Sequence, residues 1–476
     1  MKNFFKLLFA SVALVAVVGC ESAETNGNNT NGGNKNDNNK LATPNAAATI
    51  IENEIVVTWE PVEFAIRYDL TLNGGEAVSA DASPYSFKDL DYGTEYTITI
   101  VAISADESVK ANSEPKVLTV DIPALEVPVY REWYSASAAL AISNNGRWVV
   151  GGFQHNGFIY DLQNNKQTEL SGYEFSDISD NGVAVGAYFD TEDSGGVAVY
   201  YKDGECFEVD LGELPGNLYA SNLTGITPDG EYAVGWYWDY ANTYYTERFG
   251  LIVPFAYDLV THKVIMLNED TLYAQYRTAT QTYAVDPNRA ILGLEQSDLG
   301  MFGIIWESDD ADWEYVYMEV DDIRQPVKAY GCVGGGYFSP NGRYVYSAGA
   351  EYKNNVNINC AAVYDRQTKQ MIWLESMKAG AVSTMTEDGI AFLNDVSAGF
   401  GTTSFVIDLN KSLDDVMRIE EWLMAEHNID IEDYLQDGII MMGTSADGRT
   451  LLGMTNTVEY GWVNFVICLD GVPMSE

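Results

Sequence analysis

The sequence has little positive charge, few histidines and few cysteines. Its 26 lysines and arginines stand against 70 aspartates and glutamates, which gives a formal net charge of -44, and there are 3 histidines. A chain this acidic repels nucleic acid and anionic membrane surfaces, and no basic stripe offsets the charge. The five cysteines include no Cys-x-x-Cys pair. They favour separate small apolar side chains over a disulfide framework or a metal site, and no cofactor is expected.

The motifs of several enzyme classes are also missing. The chain has no His-Glu-x-x-His pair, no Gly-x-Ser-x-Gly elbow, no Walker loop and no Gly-x-Gly-x-x-Gly segment that opens a helix. These absences disfavour zinc proteases, α/β-hydrolases and nucleotide-binding enzymes, and no catalytic residue is predicted. A glycosidase needs only two suitably placed carboxylates, and 70 acidic residues leave that alternative open.

The apolar run near the N-terminus is too short to cross a bilayer. It covers residues 7–18 and follows Lys2 and Lys6, whereas a membrane-spanning helix needs about 20 apolar residues. Such a run is typical of a secretory signal. The segment Val17-Val18-Gly19-Cys20 resembles the lipobox of bacterial lipoproteins, with Val in place of the usual Leu at its first position. The resemblance implies a signal peptide over 1–19 and a lipid on Cys20.

A polar linker follows this anchor over residues 20–40. Eleven of residues 21–40 are asparagine or glycine, so we expect a disordered tether. Glu21 and Glu24 resemble the acidic residues that accompany surface export in Bacteroidetes-type lipoproteins. We therefore expect a cell-envelope protein, anchored at the outer membrane on its surface or periplasmic face. Loss of the signal removes two lysines and no acid, which brings the formal charge to about -46.

Residues 41–122 alternate in polarity as strands do. Ile55-Val56-Val57-Thr58-Trp59 ends on a tryptophan, Tyr68 lies in a second alternating segment, and Leu90-Asp91-Tyr92-Gly93-Thr94-Glu95-Tyr96 leads into a third. This pattern resembles a fibronectin type III domain. The resemblance implies that Tyr96 buries its ring and that its hydroxyl bonds the backbone of the preceding loop. It also implies a spacer or interaction module.

Residues 123–476 contain a repeated turn between two apolar strands. The seven copies are Ser143-Asn144-Asn145-Gly146, Ser179-Asp180-Asn181-Gly182, Thr227-Pro228-Asp229-Gly230, Asp286-Pro287-Asn288-Arg289, Ser339-Pro340-Asn341-Gly342, Thr386-Glu387-Asp388-Gly389 and Ser445-Ala446-Asp447-Gly448. Glycine supplies positive φ in most copies. Arg289 replaces it in the fourth, and we expect that turn to be less regular.

Third and fourth strands follow most copies, so that each unit has about four strands in about fifty residues, as in a β-propeller blade. The repeats resemble the TolB-type and extracellular-repeat propellers of secreted bacterial proteins. The predicted fold class is therefore all-β, a fibronectin type III sandwich followed by a seven-bladed β-propeller. The last copy reaches only its third strand, at 464–468. We predict that residues 129–133 supply the missing outer strand.

One helix is predicted between the sixth and seventh copies. Ser412-Leu413-Asp414-Asp415 has the spacing of a capping box, with Asp in place of Glu. Val416, Ile419, Trp422 and Leu423 then recur at helical spacing, which indicates an apolar stripe that packs on the propeller.

The candidate ligand-binding residues lie mainly in the loop between the second and third strands of the third copy. Such loops gather on one face of a propeller, and flat aromatic faces beside amides or carboxylates suit sugar rings and peptide side chains. The predicted residues are Trp238, Asp239, Tyr240, Tyr244, Tyr245 and Tyr352. The leading hypothesis is a non-catalytic binding module for a glycan or protein partner. The alternatives are an exported glycoside-cleaving enzyme and a structural envelope component.

Overall fold

The computed structural model describes residues 39–471 except 136, 191–194, 213–217, 240–250, 268–278, 298–299, 321–322, 327–336, 354–355, 379, 396–402, 432–437 and 458–460, and for part of some strands it describes the backbone alone. The chain divides into two compact units, Met1–Leu125 and Glu126–Glu476. Nearly all described regular structure is β. Among the described residues, no helix has the length and apolar character needed to span a membrane.

The first unit consists of two antiparallel sheets. Its strands are β1 (Ala46–Ile51), β2 (Glu54–Trp59), β3 (Ala65–Leu72), β4 (Val78–Ala80), β5 (Tyr85–Phe87), β6 (Thr94–Ser104) and β7 (Lys116–Ile122). One sheet has the order β1-β2-β5 and the other the order β4-β3-β6-β7. Alternate residues of β2 and β6 are buried, because each sheet turns one face toward a shared core.

Aromatic residues dominate that core. The rings of Trp59 and Tyr68 lie 5.1 Å apart, and both are buried. The backbone N–H of Asp91 donates to the Tyr96 hydroxyl at 2.8 Å, which confirms the bond predicted for this tyrosine. The buried ring and the hydrogen-bonded hydroxyl together fix the loop before β6.

The second unit contains seven four-stranded sheets among its described residues, numbered here 1 to 7 along the chain. Sheet 1 contains β9 (Ala139–Ile142), β10 (Trp148–Phe153), β11 (Asn156–Asp161) and β12 (Lys166–Ser171), and sheet 2 contains β13 (Tyr173–Ile178), β14 (Ala184–Tyr188), β15 (Val197–Lys202) and β16 (Glu205–Glu208). Sheet 3 contains β17 (Leu218–Ile226), β18 (Tyr232–Asp239), β19 (Leu251–Asp258) and β20 (Lys263–Met266), and sheet 4 contains β21 (Ala279–Val285), β22 (Ile291–Ser297), β23 (Gly300–Trp306) and β24 (Glu314–Tyr315).

The remaining sheets follow the same plan. Sheet 5 contains β27 (Tyr337–Phe338), β28 (Tyr344–Lys353), β29 (Val356–Asp365) and β30 (Gln370–Lys378), and sheet 6 contains β31 (Gly380–Met385), β32 (Ile390–Asp395), β33 (Ser404–Asp408) and β34 (Met417–Arg418). Sheet 7 contains β35 (Ile439–Thr444), β36 (Thr450–Thr457), β37 (Gly461–Cys468) and β8 (Tyr130–Trp133). A separate pair, β25 (Tyr317–Val320) and β26 (Ile323–Pro326), lies between sheets 4 and 5 in the chain.

Consecutive sheets pack face to face, and the last packs on the first. Each neighbouring pair of sheets shares one apolar cluster, from sheets 1 and 2 through to sheets 7 and 1. The central strands are therefore buried on both faces, which explains their nearly continuous apolar sequence. β8 pairs with β37, with Tyr130 opposite Ile467. The predicted outer strand at 129–133 is confirmed, and sheet 7 packs on sheet 1, so that the ring of sheets closes.

The seven repeated turns are called the turn ring below, and hydrogen bonds between described residues join five neighbouring pairs of them. The backbone N–H of Asp180 donates to the Pro228 carbonyl at 2.9 Å, and Glu387 donates likewise to Ala446. Ala446 in turn donates to the Asn144 carbonyl at 2.8 Å, which joins sheet 7 to sheet 1. These bonds satisfy turn groups that would otherwise need water.

The fourth turn has the same form as the others, so the expectation of an irregular turn was wrong. Arg289 takes the left-handed φ of 67° in place of glycine, and its N–H bonds the Asp286 carbonyl at 3.0 Å. The Asp286 carboxylate accepts the N–H groups of Asn288 and Ala290 at 2.8 Å each. These bonds hold the turn where arginine is strained.

The helix begins later than its sequence pattern predicted. Ser412 and Asp415 form a turn, in which the Asp415 N–H bonds the Ser412 carbonyl, and the two-residue strand β34 follows. Helix α1 (Ile419–His427) starts only after Arg418, without a side-chain cap. The capping box was therefore a turn motif, because Asx and Ser side chains bond nearby N–H groups in turns as well. Ile419, Trp422 and Leu423 are buried against sheets 6 and 7, as predicted.

Candidate functional site

The first strand of most sheets carries a β-bulge close to the turn ring. In sheets 1, 2, 3, 4, 6 and 7 the strand register shifts by one residue, which leaves one residue of the first strand without a partner. A bulge redirects the unpaired side chain. The residues left out are Leu140, Ser176, Thr224, Tyr283, Ser383 and Met442.

Glycines in the second strands make room for these bulges. A Cβ on Gly186 would lie 1.9 Å from the Glu174 carbonyl oxygen, and one on Gly235 would lie 2.2 Å from the Asn222 carbonyl oxygen. Only glycine allows the two backbones to approach this closely. A glycine stands at this position in sheets 1, 2, 3, 4 and 7, whereas sheet 6 bulges with Leu393 there.

The bulge residues all line one central cavity of about 640 Å³. All seven sheets contribute to its wall, each through residues of its first strand. Sheet 5 adds Tyr337 from β27 and Tyr346 from β28, whose rings lie 6.0 Å apart. The described lining contains no lysine, arginine or histidine. The cavity therefore combines apolar and hydroxyl-bearing side chains without a basic group.

Asp177, the residue after the bulge of sheet 2, lines this cavity. Its two carboxylate oxygens accept the backbone N–H of Ile178 at 2.8 Å and that of Ile226, in sheet 3, at 3.0 Å. Burial raises the pKa of the Asp177 carboxyl to about 6, against the lowering effect of these two N–H groups. Because no cation accompanies it in the described lining, the ionised carboxylate is only partly compensated.

Three tyrosines share the cavity with this carboxylate. Burial and, after it, Tyr337 raise the pKa of Tyr283 to about 12. Burial also raises the pKa of Tyr346, with smaller contributions from Tyr337 and from Asp177. The influence of Asp177 on Tyr346 links opposite parts of the ring, sheets 2 and 5. The phenols of Tyr283 and Tyr346 therefore stay protonated at neutral pH and act as hydrogen-bonding groups.

The second carboxylate of the lining, Asp286, is held by an ion pair. Arg366 of sheet 5 donates from Nη1 to Asp286 Oδ2 at 2.7 Å, and Asp286 is 1% exposed. Its other oxygen accepts two backbone N–H groups of the turn. Asp286 therefore joins sheets 4 and 5 and leaves Asp177 as the carboxylate of the described lining without a cationic partner.

Three of the six predicted ligand-binding residues and the predicted lipidation site lie outside the described structure. Tyr240, Tyr244 and Tyr245 fall within 240–250, and Cys20 precedes residue 39. Asp239 and Tyr352 end up on β18 and β28, but their side chains are not among those described. Trp238 lies on β18 and is half-buried. The structure brings none of these residues to the central cavity among its described lining.

The thiols and possible metal ligands give no second site in the described part. Cys206 and Cys468 are free, and burial raises the pKa of both thiols. Cys332 lies within 327–336, and the side chain of Cys360 is not described. Among described residues, no group of three His, Cys, Asp or Glu side chains is arranged to hold a metal ion.

Comparison with known proteins finds distant structural similarity only. No family model matches the chain, and no curated protein sequence matches it. TolB from Acinetobacter baumannii is 10% identical over 81% of this chain and 79% of its own, with a TM-score of 0.34. Oligogalacturonate lyase from Vibrio parahaemolyticus is 10% identical over 72% and 97%, with a TM-score of 0.42. The Dos1 propeller is 11% identical over 72% and 81%, with a TM-score of 0.38.

These similarities are too weak to carry function. The closed set of four-stranded sheets itself makes the second unit a propeller-like all-β fold. The cavity residues were missed in the sequence because they differ between repeats. A signal was nevertheless present, since each bulge residue stands three positions before the first polar residue of its turn, as Ser176 precedes Ser179.

Proposed function

We propose that this chain is a cell-envelope lipoprotein whose seven-bladed β-propeller, over residues 123–476, acts as a non-catalytic binding module. A signal peptide over 1–19 directs export, and a lipid on Cys20 anchors the protein to the outer membrane. The linker at 20–40 separates the anchor from a fibronectin type III-like domain at 41–122, which serves as a spacer. The ligand is a glycan or a group of a protein partner.

The central cavity carries this proposal. Its volume of about 640 Å³ falls within the range of small-molecule sites, about 300–1,000 Å³. Tyr283 and Tyr337 offer aromatic faces, and Ser383 and Thr384 offer hydroxyl groups. A purely structural ring gains nothing from polar and aromatic side chains turned into its centre by bulges. A binding role accounts for both features.

The same cavity favours binding over glycoside cleavage. A glycosidase places two carboxylates about 5–10 Å apart, one of them free to accept or donate a proton and the other free to act as nucleophile or base. The described lining offers Asp177 and Asp286. Both oxygens of Asp286 are engaged by Arg366 and by the turn backbone. Asp177 alone does not supply the pair.

A glycan and peptide array probed with residues 41–476 tests the binding role. We expect selective binding that Tyr337→Ala weakens at least tenfold, with Phe207→Ala on the outer strand β16 as the matched aromatic control. Tyr240→Ala and Tyr244→Ala test the loop predicted from sequence. Absence of any ligand for the wild type would contradict the function, and shortening of a bound glycan would favour the enzyme alternative.

The anchor needs its own test. Expression of the full chain with labelled palmitate is expected to label the wild type and leave Cys20→Ser unlabelled, because the lipid attaches through that thiol. Protease treatment of intact cells then separates the two faces of the outer membrane. Equal labelling of both proteins would contradict the proposed lipidation.

A further inference from the structure

The position after each bulge is occupied by small uncharged residues except in sheet 2. The six bulged sheets carry Ala141, Asp177, Gly225, Ala284, Thr384 and Gly443 there. The position packs closely on the next sheet, since a Cβ on Gly225 would lie 3.0 Å from the Cα of Ala284. A carboxylate here is unfavourable for packing and for solvation. Asp177 does join sheets 2 and 3 through the Ile226 N–H, but a neutral acceptor could make that bond, so the charge itself points to a further role.

The bonds that Asp177 makes leave part of its carboxylate available. Each oxygen accepts one backbone N–H, whereas a carboxylate offers about four lone-pair positions. The side chain lines the cavity, where the described residues supply no lysine, arginine or histidine. A ligand that brings a positive charge would supply the missing partner.

The tyrosines around Asp177 suit the same kind of ligand. Tyr337 is 48% exposed although it lies in the cavity lining, and Tyr283 stands at the bulge of sheet 4. Aromatic faces attract cations within about 6 Å of the ring centroid. The formal net charge of -44 adds a field that draws cations toward a cleft lined by acidic and neutral groups.

We propose that the central cavity binds an organic ammonium ligand, with Asp177 accepting hydrogen bonds from the ammonium group and the rings of Tyr283 and Tyr337 covering its carbon atoms. This inference rests on the proposed binding function, for which it names the ligand class. The ammonium group belongs either to an amino sugar or to a lysine side chain. Both sources present the same charged donor to the cavity.

Calorimetric titration of the full-length lipoprotein in nonionic detergent tests the charge requirement. Benzylamine and benzyl alcohol have nearly the same shape, but only benzylamine is charged at pH 7. We expect benzylamine to bind at least tenfold more tightly, and Asp177→Asn to remove that preference. Asp258→Asn is the matched control, because Asp258 also accepts two backbone N–H groups, from Val260 and Thr261, outside the cavity lining.

Two further pairs separate the sources of the ammonium group. Glucosamine is compared with N-acetylglucosamine, and Nα-acetyl-lysine amide with its Nε-acetyl derivative, so that each pair differs by a single ammonium group. Preference for the charged member of either pair supports the proposal and identifies its source. Equal binding of charged and neutral members in all pairs overturns it.

The pH dependence provides a measurement that needs no variant. Among the described lining groups, Asp286 is held in an ion pair by Arg366, and burial raises the pKa values of Tyr283 and Tyr346. Asp177 is therefore the lining group that changes charge between pH 5 and 7. We expect benzylamine affinity to fall about tenfold from pH 7 to pH 5, because the Asp177 carboxylate becomes protonated over that range.

The outcomes distinguish this inference from the function beneath it. Benzylamine affinity that is unchanged between pH 7 and 5, or unchanged by Asp177→Asn, overturns the ammonium proposal. A positive glycan or peptide array in that case leaves the binding function standing. A negative array together with no binding of any probe overturns both. Should Asp177→Asn fail to fold, the wild-type pH series decides.

Discussion

The turn ring and the cavity wall are built by the same first strands, yet the two regions place different demands on the sequence. The turns form similar hydrogen bonds within themselves, and most also bond a neighbouring turn, so Ser or Thr, Asn or Asp, and Gly return in nearly every copy. The bulge positions only a few residues away face an open volume, and they hold Leu, Ser, Thr, Tyr and Met. Repetition therefore marks framework, and departure from it marks candidate function.

Two aspartates, one in each region, illustrate this difference. Asp286 replaces serine in the turn ring, where Arg366 neutralises it and ties sheet 4 to sheet 5. Asp177 lies in the cavity wall with backbone donors but no cationic side chain. We infer that Asp286 belongs to the framework and Asp177 to the site. The predictions below test that division, beginning with the largest expected effect.

Removal of the Asp286 partner should destabilise the protein most. Arg366→Ala leaves a carboxylate that is 1% exposed without its cation, and breaking a buried pair in this way costs about 3–5 kcal/mol. Urea unfolding followed by tryptophan fluorescence measures the loss. The control is Arg449→Ala, whose partner Asp470 is an exposed carboxylate, and there we expect a loss of less than about 1 kcal/mol. Equal losses would contradict a structural role for Asp286.

A methyl group in the turn ring should cost nearly as much. Gly342 has a φ of 72°, and a Cβ there would lie 2.4 Å from Asp286 Oδ2. Gly342→Ala adds this overlap to the strain of the left-handed backbone, for a total loss of about 2–5 kcal/mol. Gly204 has a φ of 89° and no atom within 4 Å of such a Cβ. Gly204→Ala should therefore show the backbone strain alone, about 1–2 kcal/mol.

Ionisation of Asp177 should make the stability of the protein depend on pH. Its folded pKa, about 6, lies above its value in the unfolded chain, so ionisation weakens the folded state as pH rises. Relative to Asp177→Asn, the wild type should lose on the order of 2–3 kcal/mol of unfolding free energy between pH 4 and pH 8. Denaturant unfolding at a series of pH values measures this difference. A difference that does not change with pH would show that Asp177 is not desolvated.

Asp258 should give the opposite sign. Burial alone would raise the pKa of Asp258, but hydrogen bonds from Thr261 and Val260 outweigh it and hold that pKa below its usual value. The stability that Asp258 contributes is therefore present above the unfolded pKa and is lost as pH falls through the folded pKa. The unfolding free energy of the wild type should therefore rise relative to that of Asp258→Asn as pH rises toward about 4, before the effect of Asp177 begins.

The architecture of the second unit was largely predictable because it depends on repeated features. The turns, the strand pairs around them and the outer strand at 130–133 follow from pattern and from the count of strands. The hydroxyl bond of Tyr96 also followed from a local motif. The start of α1 did not, because Ser412 can bond a turn as readily as a helix N-terminus.

The residues of the cavity wall could not be predicted from the sequence in the same way. Strict alternation would turn Tyr283 or Ser383 into a neighbouring sheet, and only the one-residue bulge turns them inward. In five of the six bulged sheets a glycine such as Gly235 accommodates the bulge through close approach of two backbones in three dimensions. Sequence patterns of polarity contain no such information about distance.

The last prediction concerns a single amide in the turn ring. Asn341 accepts bonds from Ser339 and Arg343 through Oδ1, and its Nδ2 donates across to the Glu387 carbonyl at 2.7 Å. Asp447 accepts the equivalent bonds from Ser445 and Arg449 at its own turn. Asn341→Asp therefore keeps the turn but sets a carboxylate against a carbonyl, which should cost about 1 kcal/mol.

The reciprocal change makes the measurement decisive. Asp447→Asn keeps the acceptor and loses only exposed charge, so we expect a change within about 0.5 kcal/mol. Paired urea titrations of the two variants compare the values directly. A loss confined to Asn341→Asp would show that bonds between turns, in addition to bonds within them, determine which residue each copy carries. Equal effects would mean that the side-chain bond from Asn341 to the next turn contributes little to stability, and that the amide is present for the bonds within its own turn.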